Sequence, residues 1–143
     1  METHLLRKKE KEKRVILSLS KDIILKMKTK IYKILFIVWS VLILTLSSIP
    51  SLSVMKSPII GMDKVAHFTE YLIFAFLFVK MHKDVRKGVK RLLILACTIP
   101  ILDELHQIPI LGRDFSFYDI LADTWGFLVV IFVYWSKCIK ATE

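Results

Sequence analysis

Apolar residues in this sequence are gathered into four long stretches, with short charged segments between them. A helix needs roughly 20 residues to cross the hydrocarbon core of a bilayer, and each stretch approaches that length. None of the stretches alternates apolar and polar residues as a barrel strand does, and a helix satisfies its own backbone hydrogen bonds in lipid. The pattern therefore predicts an all-α membrane protein, a bundle of four transmembrane helices. The predicted helices cover about residues 32–49, 65–81, 92–109 and 118–136.

The charges of the connecting segments predict how these helices are oriented. Residues 82–91 contain five Lys or Arg and one acid, whereas residues 50–64 and 110–117 are nearly balanced in charge. Short loops that are rich in Lys and Arg lie on the cytoplasmic side of a membrane. We therefore expect a multi-pass protein of the cytoplasmic membrane, with both termini and the second loop inside and the other two loops outside.

The overall composition agrees with a membrane location. The chain is 55% hydrophobic and carries a formal net charge of +9, whereas a soluble domain averages about 45–50% apolar residues. The basic residues lie in blocks between the apolar stretches. This segregation excludes a soluble globule and a nucleic-acid-binding protein, and it makes membrane lipids the first expected partner.

The first 30 residues differ from the rest of the chain. They contain ten Lys or Arg and four acids and show little apolar periodicity. We expect a basic, disordered arm at residues 1–30, a transmembrane domain at residues 31–138 and a short tail at residues 139–143. The arm either lies on anionic headgroups or precedes a natural start at Met27, so that residues 1–26 are dispensable. The first apolar stretch exceeds the roughly 7–15 residues of a signal-peptide core, so we expect it to be retained.

Acidic residues are concentrated at one predicted depth. Nine acids follow Met27, and seven of them map to the outer side of the predicted bundle. These seven are Asp63, Glu70, Asp103, Glu104, Asp114, Asp119 and Asp123. Ionisable residues inside a membrane span are costly and usually functional. Since helical phase places most of them on facing stripes of the last three helices, they predict a polar pocket that opens to the outer leaflet.

The first group of candidate residues lies at the start of the second helix. Asp63 and His67 are four residues apart, so they can form a carboxylate–imidazole pair that serves as a general base or a metal ligand. The alternative is a helix-capping aspartate beside an interfacial histidine. Tyr71 lies one turn further along the same stripe, while Glu70 and His106 are placed at the rim of the pocket.

A second group ends the third helix. Asp103, Glu104 and Gln107 can bind a cation or act as acid and base, and adjacent carboxylates repel each other unless a positive charge compensates. Arg113, in the following loop, can hold a phosphate or a carboxylate through two hydrogen bonds. The alternative is a structural ion pair between Arg113 and one of the two acids.

The fourth helix carries the third group. Asp119 and Asp123 can supply oxygen ligands to a hard cation such as Mg²⁺ or Ca²⁺. The alternative is a helix cap made by Asp119 and a packing hydrogen bond made by a protonated Asp123. Ser116 lies on the same stripe, and Gly126 would let a neighbouring helix come close beneath the two acids.

Charge balance in the predicted pocket bears on cofactors. Five carboxylates face only His67 and Arg113, and Lys64 at the rim adds one positive charge at most. Either some carboxylates are protonated, Asp123 first, or a divalent cation is bound; no other cofactor is expected. The expected catalytic residues are His67, Asp63, Glu104, Asp103 and Arg113. The expected substrate-binding residues are Tyr71, Gln107, Arg113, Ser116, Asp119 and Asp123.

The spacing of these residues resembles that of a known family. The motif D-K-x-x-H-F-x-x-Y covers residues 63–71, and D-E-x-x-Q-x5-R-x2-S-x2-D-x3-D-x2-G covers residues 103–126. Together they resemble the VanZ-like membrane protein family, which is named for a member linked to teicoplanin resistance. The sequence departs from the family pattern twice. Asp123 stands where the family usually has Asn, and residues 108–111 lack the usual aromatic residue and the proline next to the glycine.

Three classes of function remain open. The first is an enzyme that acts at the outer leaflet on a lipid-linked, phosphate-bearing or cell-wall-related envelope molecule. The second, which the resemblance implies, is a non-enzymatic binding or accessory protein that lowers susceptibility to glycopeptide antibiotics. The third is an ion- or proton-coupled transporter. It is disfavoured because the inner half of the predicted helices offers few polar residues.

Overall fold

The computed structural model of the protein describes residues 2–50, 61–82 and 84–140. Within these residues the chain forms four α-helices and no β-strand. The helices are α1 (Glu2–Ser48), α2 (Met62–Lys80), α3 (Val85–Gln107) and α4 (Phe117–Lys140). The predicted all-α class is therefore confirmed, and each predicted apolar stretch overlaps one helix.

Side-chain caps set the starts of α3 and α4. α3 begins earlier than predicted, at Val85, because the carboxylate of Asp84 accepts a hydrogen bond from the backbone N–H of Lys87 at 3.2 Å. α4 begins directly after Ser116, whose hydroxyl accepts a hydrogen bond from the backbone N–H of Asp119 at 3.3 Å. The capping role that the sequence suggested for Asp119 therefore belongs to Ser116, which leaves the Asp119 carboxylate available to the interior.

α1 is far longer than the predicted first span. It contains 47 residues and continues through the segment predicted to be a disordered arm. Every residue from 9 to 28 is exposed. Ring packing against α2 begins with Tyr32, whose ring meets that of Phe76 edge-on at 6.4 Å between centroids. The structure gives residues 2–30 a helical backbone, while the disorder of the arm and the dispensability of residues 1–26 stay predictions.

Contacts at the two ends of the bundle show that the helices alternate in direction. Ser47, at the end of α1, donates a hydrogen bond to Asp103 near the end of α3 at 2.9 Å. Lys64, near the start of α2, forms an ion pair with Asp119 near the start of α4. We call this end of the bundle the polar end. At the opposite end, called the basic end, Arg86 of α3 donates to a backbone carbonyl in the last turns of α4 at 3.4 Å.

An aromatic core fills the middle of the bundle. The ring of Phe74 in α2 lies 4.8 Å from that of Phe36 in α1 and 5.7 Å from that of Phe127 in α4, between centroids. Tyr71 is 2% exposed, and its ring lies 5.5 Å from that of Phe127. This core therefore joins three helices directly below the polar end.

α2 and α4 approach each other closely at Gly126. A Cβ at this position would lie 2.6 Å from the carbonyl oxygen of Phe68 and 2.8 Å from the backbone nitrogen of Leu72. Both distances are well inside van der Waals contact, so a larger side chain would push the helices apart. The predicted close approach beneath Asp119 and Asp123 is confirmed.

Besides its aromatic core, the bundle buries several polar side chains and exposes many large hydrophobic ones. The buried polar or charged residues are Ser47, Asp103, Glu104, Gln107, Asp119 and Asp123. Large hydrophobic side chains are exposed on all four helices, such as Leu102 and Phe132. Two segments, Lys9–Ser48 and Phe117–Ile139, are long and apolar enough to cross a membrane. α2 and α3 fall short of that measure within the described residues, because α2 carries Glu70 between the charges at its ends and α3 carries basic residues near its start and acids near its end.

Candidate functional site

Polar side chains from all four helices meet at the polar end of the bundle. We call this cluster the acidic pocket. Its members are Ser47, Lys64, His67, Asp103, Glu104, Gln107, Ser116, Asp119 and Asp123. Glu104 and Asp123 are both 0% exposed. Because burying an unpaired carboxylate is costly, the partners of these acids determine what the pocket can do.

His67 is held between two carboxylates of α4. Its Nδ1 lies 3.0 Å from Oδ1 of Asp123, and its Nε2 lies 3.9 Å from Oδ2 of Asp119. The sequence suggested Asp63 as the partner of His67, and the structure corrects that suggestion. The contact with Asp123 forms because the glycine at position 126, one turn further along α4, lets α4 pack against α2 at this depth.

Asp63 lies at the rim and pairs with its neighbour instead. Its Oδ2 is 2.7 Å from Nζ of Lys64, and the Asp63 side chain is 62% exposed. The same Nζ forms an ion pair with Asp119 and lies 3.4 Å from the hydroxyl of Ser116. Lys64 therefore enters the pocket further than its predicted place at the rim, because its long side chain reaches across to α4.

Asp103 is the best satisfied of the buried acids. Its Oδ1 accepts a hydrogen bond from the hydroxyl of Ser47 at 2.9 Å, and its Oδ2 accepts one from Nε2 of Gln107 at 3.4 Å. Tyr71, predicted to bind substrate, has its ring in the aromatic core, and its hydroxyl lies close enough to interact with the Asp103 carboxylate. Asp103 thus ties α1 to α3 and has no oxygen without a hydrogen bond.

Glu104 has one bound and one unbound oxygen. Its Oε2 accepts a hydrogen bond from the backbone N–H of Ser116 at 2.7 Å, which fixes the turn before α4. Its Oε1 is buried and has no hydrogen-bond partner within residues 2–50, 61–82 and 84–140. Oδ2 of Asp123 is likewise buried and has no hydrogen-bond partner among these residues. Oδ1 of Asp119 also lacks a hydrogen bond but forms the ion pair with Lys64, so among the described residues the oxygens of Glu104 and Asp123 are the buried acceptors of the pocket without either kind of partner.

Arg113 binds backbone rather than a carboxylate. Its Nη2 donates a hydrogen bond to the carbonyl oxygen of Leu46 at 2.8 Å, near the end of α1. Among the described residues no acidic side chain lies within ion-pair distance of its guanidinium. The structural ion pair considered for Arg113 with Asp103 or Glu104 is therefore not formed.

The two residues assigned to the rim lie near α1. The backbone carbonyl of Glu70 accepts a hydrogen bond from the indole N–H of Trp39 at 2.9 Å, and its side chain is half-buried. Nε2 of His106 lies 3.0 Å from the hydroxyl of Ser48 at an exposed position. Among the described residues neither side chain forms a hydrogen bond or an ion pair with His67, so both positions suit control substitutions.

Two sets of three residues in the pocket have the geometry to hold a metal ion. In each set, one ligand atom per residue lies within 4.8 Å of the others. One set is His67, Glu104 and Asp119, and the other is His67, Asp103 and Asp123. Imidazole nitrogen and carboxylate oxygen together suit Zn²⁺ and other divalent transition metals.

Comparison with known proteins agrees with the motif spacing. The profile of the VanZ/LLP1 family matches residues 7–139, which is nearly the whole chain. The protein belongs to the VanZ/LLP1 family. The match extends beyond residues 63–126, on which the resemblance rested, and takes in α1 and the end of α4. No curated protein and no solved structure matches the chain.

In this VanZ/LLP1 protein, sequence reasoning missed one residue of the pocket entirely. Ser47 comes from α1, and its hydroxyl reaches Asp103 across the bundle. Ser47 and Ser48 are the first adjacent pair of hydroxyl residues after a long apolar run. That pair is the one feature in α1 that could have marked the contact.

Proposed function

We propose that all four helices of this VanZ-family protein cross the membrane. α1 and α4 qualify by length and composition, and α2 packs between them through the aromatic core. α2 and α3 also expose large hydrophobic side chains, such as Val65 and Leu102, while the acids of α3 are buried. Helices that turn apolar side chains outward and acids inward suit lipid as a solvent.

The positive-inside tendency supports an orientation with the basic end in the cytoplasm. The basic residues there include Lys80, Arg86, Lys87, Lys90, Arg91 and Lys137. Both termini would then lie inside, because the helices alternate in direction and their number is even. The acidic pocket would lie in the outer leaflet.

At that depth, we propose, the acidic pocket binds or acts on a polar envelope molecule. The candidate class is lipid-linked, phosphate-bearing or cell-wall-related, and its turnover or retention would change susceptibility to glycopeptide antibiotics, as the family name suggests. One observation carries this proposal: His67 stands between Asp123 and Asp119, next to a Glu104 that is completely buried. A buried carboxylate that only supports a fold seldom has an oxygen without a hydrogen-bond partner.

The arrangement suits acid–base chemistry. Asp123 holds Nδ1 of His67, which orients the ring and leaves Nε2 to take or give a proton. The second group is the carboxyl of Glu104, which has an oxygen within 4.8 Å of a ring nitrogen of His67. A bound molecule entering from the polar end would meet both groups.

The test compares two isosteric substitutions that remove charge while keeping the structural contact. Glu104→Gln retains a carbonyl oxygen for the N–H of Ser116, and Glu70→Gln is the matched control at the rim. Each variant is expressed in a strain that lacks the protein, and teicoplanin susceptibility and envelope precursors are measured. We expect Glu104→Gln to behave like the deletion and Glu70→Gln to behave like the wild type. Wild-type behaviour of Glu104→Gln at normal expression would contradict a chemical role for the pocket.

A non-enzymatic accessory protein is the second candidate function. It is favoured by the number of pocket groups that bind other parts of the chain, such as Arg113 on the carbonyl of Leu46 and Asp103 on Ser47. A scaffold of this kind would tolerate Glu104→Gln, since the hydrogen bond to Ser116 survives. The same experiment therefore separates the two candidates.

A further inference from the structure

We propose that the acidic pocket binds one divalent transition-metal ion through His67, Glu104 and Asp119. The three residues come from three different helices, α2, α3 and α4. One ligand atom of each lies within 4.8 Å of the other two. Small side-chain rotations bring atoms at such separations to the distance of about 2.0–2.2 Å that nitrogen and oxygen ligands keep from Zn²⁺.

The orientation of His67 points to Nε2 as its ligand atom. Nδ1 lies 3.0 Å from Oδ1 of Asp123, so the ring N–H at this atom can donate to the carboxylate. In that tautomer Nε2 carries the lone pair, and it faces Oδ2 of Asp119 at 3.9 Å. A carboxylate that fixes the far nitrogen of a ligating histidine is the usual outer partner in protein metal sites. Asp123 is therefore assigned as a positioning residue rather than a ligand.

Glu104 supplies an observation that is independent of the clustering. Its side chain is 0% exposed, one oxygen is bound by the N–H of Ser116, and the other has no hydrogen-bond partner among the described residues. Burying a carboxylate oxygen costs desolvation free energy, and without a donor no hydrogen bond offsets that cost. A cation between Glu104, Asp119 and His67 would supply the missing partner.

Charge balance supports the same assignment. The pocket buries four carboxylates, those of Asp103, Glu104, Asp119 and Asp123. Lys64 pairs with Asp119, but Arg113 is held by the carbonyl of Leu46 and pairs with none of them. A divalent ion compensates two negative charges in the place where Glu104 and Asp119 meet.

The alternative set of His67, Asp103 and Asp123 fits a metal less well. Both oxygens of Asp103 already accept hydrogen bonds, from Ser47 and Gln107. The contact between Asp123 and Nδ1 is a hydrogen bond, which a metal at that atom would break. The set with Glu104 keeps every hydrogen bond that the structure shows.

The ligands indicate the class of metal. One imidazole nitrogen with two carboxylate oxygens suits Zn²⁺ or Mn²⁺, whereas Mg²⁺ and Ca²⁺ prefer oxygen ligands throughout. A bound metal would let the acidic pocket hold a phosphate or carbonyl oxygen. The biological meaning of the metal site therefore rests on the proposed function. Metal binding itself is measured without any envelope substrate.

The experiment measures metal binding by the purified full-length protein in detergent. The protein is stripped with a chelator, dialysed against micromolar Zn²⁺ or Mn²⁺, and analysed for bound metal per chain and for its unfolding temperature. We expect one ion per wild-type chain and a higher unfolding temperature with metal. His67→Gln and Glu104→Gln should lose the ion, Asp123→Asn should weaken binding about 10–100-fold, and Glu70→Gln should bind like the wild type.

The outcomes separate this proposal from the proposed function. Absence of bound Zn²⁺ and Mn²⁺, or an ion retained by both His67→Gln and Glu104→Gln, overturns the metal site. If the protein binds no metal but His67→Gln abolishes the antibiotic phenotype, the metal site is wrong and the proposed function still stands. Should a variant fail to fold, the absorption spectrum of the wild type loaded with Co²⁺ decides. Visible bands of a four- or five-coordinate ion support the site, and an aqueous spectrum overturns it.

Discussion

The side chain of Arg113 is chemically suited to bind an anionic ligand, but in the structure it binds the end of the neighbouring helix α1. A guanidinium suits phosphate and carboxylate groups, yet here it donates to the carbonyl of Leu46. That carbonyl is among the last four of α1, which lack the regular helical partner, and its one backbone donor among the described residues is the N–H of Ile49 at 3.3 Å. A positive charge at the C-terminal end of a helix is also favourable. Arg113 therefore stabilises the end of α1 next to the acidic pocket.

Removing this guanidinium should lower stability. We expect Arg113→Ala to reduce the free energy of unfolding by about 1–3 kcal/mol, since a partly buried carbonyl loses a charged donor. Arg86→Ala is the matched control, because Arg86 also donates to a backbone carbonyl but at 3.4 Å and on an exposed surface. Its effect should stay within about 0.5 kcal/mol. Denaturant unfolding in detergent measures both variants, and equal losses would contradict the capping role.

The contact between α2 and α4 is the element that assembles the pocket. Gly126 permits this contact because the backbone of Phe68 and Leu72 occupies the space of a side chain. This close packing brings Asp123, one turn earlier in α4, into contact with His67 of α2. Packing between two helices thus decides which carboxylate orients the histidine.

A methyl group at this contact should disturb the bundle. Gly126→Ala places a Cβ 2.6 Å from a carbonyl oxygen, so we expect a loss of about 1–3 kcal/mol in stability from overpacking. Gly88→Ala is the comparison, because the atom nearest to its Cβ would be Cβ of His82 at 3.2 Å, a contact that a shift of a few tenths of an ångström relieves. Thermal unfolding in detergent compares the two. A Gly126→Ala protein as stable as the wild type would show that α2 and α4 pack less tightly than described.

The whole molecule has two chemically different ends, and that asymmetry predicts its orientation. Leu111, 82% exposed, lies at the polar end, and the side chain of Lys87, 74% exposed, lies at the basic end. In a chain with Cys97 and Cys138 replaced by Ser, cysteine is introduced at either position. A membrane-impermeant thiol reagent added to intact cells should label Leu111→Cys and spare Lys87→Cys, because basic loops stay inside.

Permeabilised cells provide the control for that labelling. Both cysteines should react once the reagent reaches the cytoplasm, which shows that each thiol is accessible. The reverse result in intact cells, with only Lys87→Cys labelled, would place the acidic pocket on the cytoplasmic side. The proposed action on an outer-leaflet molecule would then be wrong.

The linear sequence was sufficient for features that depend on one helix at a time. Apolar stretches predicted the four helices, because the exposed apolar residues and the core-facing residues of each helix make a continuous run. The common depth of Asp103, Glu104, Asp119 and His67 followed from helix direction and rise alone. Their spacing also carried the family resemblance, which the match over residues 7–139 confirmed. The early start of α3 was missed because Asp84 acts as a local cap, which hydropathy does not register.

Only the tertiary structure decided which of these residues touch. The spacing of four residues made Asp63 the natural partner of His67, since i and i+4 are neighbours on one helix. The partner is Asp123, because contacts between helices depend on interhelical distance, and Gly126 reduces that distance at this level. Arg113 binds a backbone carbonyl rather than a carboxylate because the loop before α4 passes the end of α1. This contact, too, depends on how the helices pack. Sequence periodicity describes the face of each helix, whereas the packing of the faces sets the chemistry of the pocket.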